Sequence, residues 1–199
     1  MTASIEIFIG KDATEYVELV STLRIELFQH YPYLYKGEIE YERNYMLSYT
    51  LDKRGIIAVA RIDGVLAGIS TGIPLNSDFE IVADVKKIFK REKLDICNYY
   101  YCGEAIIKPE FRGRGLIKLL SVQENLIKDW GFKQVCFMAI VREDHHPLKP
   151  VDYKCPNNLW KRLGFINNNL TAEYHWPTIQ PDGSIKDTNN KLEFWTKQL

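Results

Sequence analysis

The chain has 199 residues, and 26 Lys and Arg balance 26 Asp and Glu, so the formal net charge is zero. Hydrophobic residues make up 46% and charged residues 26%, an ordinary globular composition that excludes a disordered chain. The balanced charge argues against a general nucleic-acid or membrane-surface binder, and the length predicts one domain over residues 1–199.

Ile5 to Ile9 alternates apolar and polar residues and reads as a first strand. Asp12 and Glu15 have capping-box spacing. Behind them Tyr16, Val17, Leu19, Val20, Leu23, Leu27 and Phe28 recur at helical period, and Pro32 stops that helix near Tyr31. Residues 38–52 are a second, more polar helical candidate. Between the two lies Tyr31-Pro32-Tyr33-Leu34-Tyr35-Lys36-Gly37, followed by Glu38, Glu40 and Glu42, a set of aromatics and acids suited to a cationic amine.

Gly55–Ile62 and Val65–Ile73 are β-rich runs joined by Asp63-Gly64, a strong hairpin signal. Ser77 and Glu80 form a second capping box before a helix reaching Arg91. Tyr99–Ile107 is a strand stopped by Pro109. Leu116 to Trp130 carries the apolar stripe of a main helix, with Gly131 as its C-terminal cap. Val135–Val141 is continuously apolar, as in a strand covered on both faces. Pro156–Leu163 is a short helix ended by Gly164. Leu170–Ile179 and Lys191–Thr196 are the last strands, around a Pro181-Asp182-Gly183 turn. Cys97, Cys102, Cys136 and Cys155 are irregularly spaced, with no CxxC pair, and are expected to be reduced, mostly buried thiols. No apolar run approaches the roughly 20 residues of a membrane span, and no leader precedes Lys11, so a cytoplasmic protein without a membrane is expected.

The run Lys108-Pro109-Glu110-Phe111-Arg112-Gly113-Arg114-Gly115-Leu116 carries the chemistry. A strand runs in and an amphipathic helix runs out. Glycine lets the backbone turn sharply and approach a ligand, and the first helical turn offers unpaired N–H groups at the positive end of the macrodipole. Arg112 and Arg114 add positive charge, so the segment reads as a phosphate-binding strand–turn–helix. It is neither a Walker loop nor a GxGxxG motif, since Lys118 occupies the third glycine position.

The run resembles motif A of the GNAT superfamily of N-acetyltransferases, [RQ]xxGx[GA] after a V-x-P-x-[YF] strand end. Ile107, Pro109, Phe111, Arg112 and Gly115 match it; Ile117 departs, where the family usually has Gly or Ala. Leu159-Trp160-Lys161-Arg162-Leu163-Gly164-Phe165 resembles the FYEKLGF segment of motif B. The resemblance implies a GNAT fold of α+β (α/β) class: a mixed central sheet of about six to seven strands, helices on both faces, and a splay between the two central strands. It implies acetyl-CoA as cosubstrate, no metal, and direct attack on the thioester by a small-molecule or peptide amine, in a monomer or homodimer. The pantetheine arm would lie along Ala105, Ile106 and Ile107. The pyrophosphate would lie on the N–H groups of Gly113, Arg114, Gly115, Leu116, Ile117 and Lys118, beside Arg112.

In many family members the Tyr of motif B is the general acid. Trp160 stands there, and an indole cannot take that role, although it can pack against the coenzyme. Tyr153, on the approach to the same helix, is the candidate substitute; it also fits a packing tyrosine. Glu104, a lone acid in an apolar strand, is the candidate base or acceptor-positioning group, since burial raises a carboxyl pKa toward a useful range. It also fits a carboxylate paired with a Lys or Arg. His145 and His146, in the loop after the second central strand, are alternative bases.

Overall fold

In the computed structural model, residues 2–114 and 118–199 are described, without the side chains of 118–121. Seven strands form one mixed sheet: β1 (Ala3–Ile9), β2 (Ile56–Ile62), β3 (Val65–Pro74), β4 (Tyr99–Ile107), β5 (Gln134–Ile140), β6 (Ile166–Ile179) and β7 (Ile185–Gln198). Their order is β1-β2-β3-β4-β5-β7-β6, antiparallel throughout except for the parallel β4–β5 pair. The helices are α1 (Val17–Phe28), α2 (Ile39–Leu51), α3 (Ala83–Arg91), α4 (Lys118–Asp129) and α5 (Asn157–Arg162).

The apolar run of β2 explains its place in the sheet. Ile57 and Val59 face a core built with Val20 and Leu23 of α1, Met46 and Tyr49 of α2, and Val85 and Phe89 of α3. Ile56, Ala58 and Ala60 face a second core with Ile127 of α4 and Phe165, against which Trp160 and Leu163 pack. Helices therefore cover both faces, as expected for strands without alternation. Asp63 and Gly64 both have positive φ, 48° and 80°, the two-residue turn whose twist matches a hairpin. Gly131 and Gly164, at φ 87° and 88°, follow α4 and α5 as left-handed C-terminal residues.

Four sequence expectations need correction. Neither capping box forms. Gly10–Tyr16 is a 3-10 turn whose cap makes no side-chain hydrogen bond, and the buried Ser77 hydroxyl finds no partner. The last two strands are 14 residues each, because cross-strand partners hold the Asn-rich and charged ends that propensity alone disfavours. There Thr188 Oγ1 donates to Thr178 Oγ1 at 2.6 Å, and the buried Asn190 donates to the Thr188 carbonyl at 2.8 Å. The thiols are not mostly buried either: Cys97 and Cys155 are exposed in connections, Cys102 is half-buried and Cys136 buried, all four free. No helix among the described residues is long and apolar enough to cross a membrane.

Candidate active site

The two central strands part company after three residues. Tyr99, Tyr100 and Tyr101 pair with Gln134, Val135 and Cys136, and there the ladder ends. Beyond it β4 stays with β3 as far as Ile107 opposite Gly68, while β5 follows β7 as far as Ile140 opposite Leu192. A wedge opens between them, with β4 backbone unpaired on that side from Cys102 onward. Ala105 is exposed in it and Ile107 half-buried. Unpaired strand backbone must find a partner or water, and a wedge of this kind offers it to an extended amide-bearing ligand.

At the widening point β4 bulges. Ser70 pairs with Ala105 and Gly72 with Cys102, so Gly103 and Glu104 together face Thr71. The extra residue reverses the alternation. Before it, Tyr99 and Tyr101 face the α1–α2 core; after it, Ile106 does. The bulge turns the Glu104 side chain into that core, where the residue is 4% exposed. Thr71 Oγ1 donates to Glu104 Oε2, and the Glu104 amide donates to Thr71 Oγ1 at 3.1 Å. Arg24 Nη1 donates to Glu104 Oε1, while its Nε donates to Glu42 Oε2. Burial pushes the Glu104 carboxyl above the usual carboxylate range, against the pull of Arg24 and Thr71.

Glu42, read from the sequence among the acids suited to a cationic amine, is instead fully buried against Arg24. Arg24 escaped the sequence reading, yet it had a signal. It sits on the Val17–Val20–Leu23–Leu27 stripe of α1, where a charge on an apolar face calls for a buried counter-ion. Rings of Tyr45 and Phe28 lie over its guanidinium, 4.4 and 5.0 Å from ring centre to Cζ.

The connection between α1 and α2 forms one rim of the wedge. It is tied to β6 by Lys36 N–H to the Pro177 carbonyl, 2.8 Å, and by Ile179 N–H to the Leu34 carbonyl, 2.7 Å. From the far side Arg142, just past β5, donates to the carbonyls of Pro32 and Tyr33 at 2.7 and 2.9 Å. Tyr153 packs edge-on against Tyr31, centroids 4.7 Å apart, and His146 lies 5.7 Å from the same ring. The aromatic segment, the histidine loop and Tyr153 thus form one cluster. Burial pushes the Tyr153 phenol up to about 12, with Tyr31 and Tyr33 adding to the rise and Arg112 opposing it. Tyr33, also pushed up to about 12 by burial, is within electrostatic reach of Glu104. Glu104 and Tyr153 therefore belong to one neighbourhood without a direct hydrogen bond. His146 Nδ1 accepts from the Leu148 amide at 3.2 Å, and burial followed by Arg142 lowers its pKa. His145 is exposed.

Past the end of β4, Gly113 has φ 76°, and among the described residues nothing lies within 4 Å of where a Cβ would sit. Arg112 is exposed and its Nε donates to the Ile107 carbonyl at 3.3 Å; the Arg114 guanidinium lies 5.5 Å from the Phe111 ring centre. Gly115, Leu116 and Ile117 lie outside the described residues, and Lys118 opens α4. Trp160 packs on Phe137 of β5, centroids 5.0 Å apart, and its buried indole N–H has no acceptor among the described residues.

A parallel pair of central strands splayed within an otherwise antiparallel sheet is the arrangement of the GNAT N-acetyltransferases, and solved structures confirm the fold. An N-acetyltransferase from Staphylococcus aureus Mu50 is 13% identical, with 100% of this chain and 99% of that one covered and a TM-score of 0.61. The PaiA N-acetyltransferase from Thermoplasma acidophilum, in complex with coenzyme A, is 15% identical over 100% of both chains, with a TM-score of 0.55. A Salmonella typhimurium protein, described as a candidate acetyltransferase with its cofactor acetyl-CoA, is 14% identical over 98% of this chain and 94% of that one, at 0.59. At these identities the likeness is one of fold: the chain has the GNAT fold. No protein-family model and no curated protein matches the sequence.

Proposed function

We propose that the chain is an acetyl-CoA-dependent N-acetyltransferase that acetylates an amine by direct attack within a ternary complex. The carrying observation is the wedge between β4 and β5, with exposed Ala105 on β4 beside it and the Gly113 turn following β4 in the chain. The residues present fit the coenzyme. Unpaired β4 backbone at Ala105, Ile106 and Ile107 suits the amides of the pantetheine arm. Arg112 and the Gly113–Arg114 backbone suit the pyrophosphate, and the residues Gly115 to Lys118 complete that loop by resemblance. The orphan Trp160 indole N–H offers a donor to the coenzyme from α5. When bound, acetyl-CoA supplies an activated thioester.

The chain's own residues then handle the acceptor. Tyr31 and Tyr153, in edge-on contact, and Tyr33 would line its side of the wedge. Glu104, raised above an ordinary carboxyl, takes a proton from the acceptor ammonium at Oε1 or Oε2, directly or through water. Tyr153 keeps its proton to about pH 12 and can donate it to the departing thiolate. The acceptor is a primary amine of a small molecule or peptide.

The test is release of coenzyme A across a panel of small amines and peptide N-termini, run beside calorimetry with acetyl-CoA. Binding together with amine-dependent release supports the transferase. Binding with no release from any amine makes the chain a coenzyme A-binding module, and no binding sinks both readings.

A further inference from the structure

The buried charges at Glu104 do not balance. Arg24 of α1 bridges Glu42 of α2 and Glu104 of β4, with side-chain exposures of 10%, 0% and 2%. One guanidinium faces two carboxylates, and all three side chains are largely buried. The other titratable groups turned toward Glu104 are Tyr45 and Tyr49 from α2, Tyr33 from the α1–α2 connection and Tyr101 from β4 itself. Burial raises all four phenols, so they stay neutral. Tyr35 faces Glu42 from the same connection and is raised in the same way. From β3 the facing group is the neutral Thr71. Arg24 is thus the one cation against this pair among the described residues. The Tyr35 phenol at Glu42 is neutral, so among the described residues Arg24 is the one cation that offsets the charge of Glu42.

Like charges that share a site cannot both ionise freely. A guanidinium fork divided between two acceptors stabilises each less than a fork closed on one. We propose that Glu42 is a positioning residue for Glu104: through the shared Arg24 it keeps Glu104 in its proton-carrying form to higher pH and so sets the pH at which Glu104 becomes a base. This rests on the reading of Glu104 as proton acceptor, but the coupling is measurable without catalysis. The proton balance is simple: Glu104 loses its proton to solvent as pH rises, and the resulting carboxylate, still held by Arg24 and Thr71, accepts one from the acceptor ammonium.

Glu42→Gln keeps the shape and an oxygen for Arg24 Nε while removing the charge. The readout is the carboxylic-acid C=O stretch of Glu104, followed by infrared difference spectroscopy across pH and assigned by its loss in Glu104→Gln. In Glu42→Gln that band should disappear at a pH lower by about one unit or more, in line with the removal of a nearby like charge. Glu42→Met, which fills the space without charge, should give a shift of the same sign, so the result does not depend on one variant folding. Glu42→Asp, which keeps the charge, should stay near wild type. An unmoved band in both neutral variants overturns the coupling. Where a productive amine is known, the acid limb of the rate profile should move with the band. A moved band beside an unmoved rate limb leaves the coupling standing and removes Glu104 from the chemistry.

Discussion

The hydroxyl of Tyr49 on α2 sits directly above Gly103 in the β4 bulge: a Cβ placed at Gly103 would lie 1.8 Å from Tyr49 Oη and 3.0 Å from Thr71 Oγ1. The contact fixes where α2 crosses the sheet, and hence where Glu42, two turns earlier on the same helix, meets Arg24. Gly103 is needed here for space, since its backbone does not lie at positive φ. Gly103→Ala should therefore cost about 1–3 kcal/mol, the usual range for overpacking a core. Urea unfolding measures it, and a midpoint equal to wild type would contradict the packing. Tyr49→Phe in the same chain should recover part of the loss by removing the clashing oxygen.

Glu104→Gln keeps the volume and an acceptor for Arg24 and Thr71. It should lower turnover or raise the acceptor KM and leave acetyl-CoA affinity within about twofold, roughly 0.4 kcal/mol. Stability carries a second signature. The Glu104 pKa is raised on folding, so its contribution is fully present below the ordinary carboxylate value and is lost as pH rises through the folded value. The stability of the wild type relative to Glu104→Gln should accordingly fall from about pH 4 upward, where an unfolded Glu titrates. A pH-independent difference would mean that Glu104 ionises normally.

Tyr153→Phe keeps the edge-on contact with Tyr31 and removes the phenolic proton. Turnover should fall about tenfold to a hundredfold, at the low end of acid–base contributions. The phenol titrates near 12, so no alkaline limb from Tyr153 should appear below about pH 10, and the stability it contributes is lost only between the ordinary value and 12. Trp160→Tyr, which restores the phenol found at this place in resembling sequences, should recover part of the Tyr153→Phe loss. Equal rates in wild type and Tyr153→Phe would leave the leaving thiolate unassisted.

Gly113→Ala introduces no collision with the described residues, since none lies within 4 Å of the new Cβ. Its cost is conformational: a non-glycine residue at φ 76° is disfavoured by roughly 1–2 kcal/mol. Global stability should change by no more than that, whereas acetyl-CoA affinity should drop about tenfold, near 1.4 kcal/mol, as the turn relaxes away from the coenzyme. Titration calorimetry that shows unchanged affinity in a folded Gly113→Ala would move the pyrophosphate site elsewhere.

Much of the architecture was legible along the chain, because it depends on neighbours in sequence. Period-two alternation marked β1, β-rich runs marked β2 and β4, and period-3.6 patterns marked α1 and α4; Asp63-Gly64 named a hairpin; Gly131 and Gly164 marked helix ends; and the Arg112-to-Gly115 run pointed to an anion cradle. What the sequence alone did not determine involves partners distant along the chain. The bulge at Gly103 and Glu104 arises from pairing with Thr71 on β3, and without that extra residue strand alternation would turn Glu104 to the other face. The full length of β6 and β7 comes from pairing between polar segments that propensity assigns to loops. Arg24, Glu42 and Glu104 lie 18 and 80 residues apart along the chain, on three elements, and a charge can be buried there only after folding brings the three together. Local pattern decides which elements form; the cost of burying charge decides which side chains must meet.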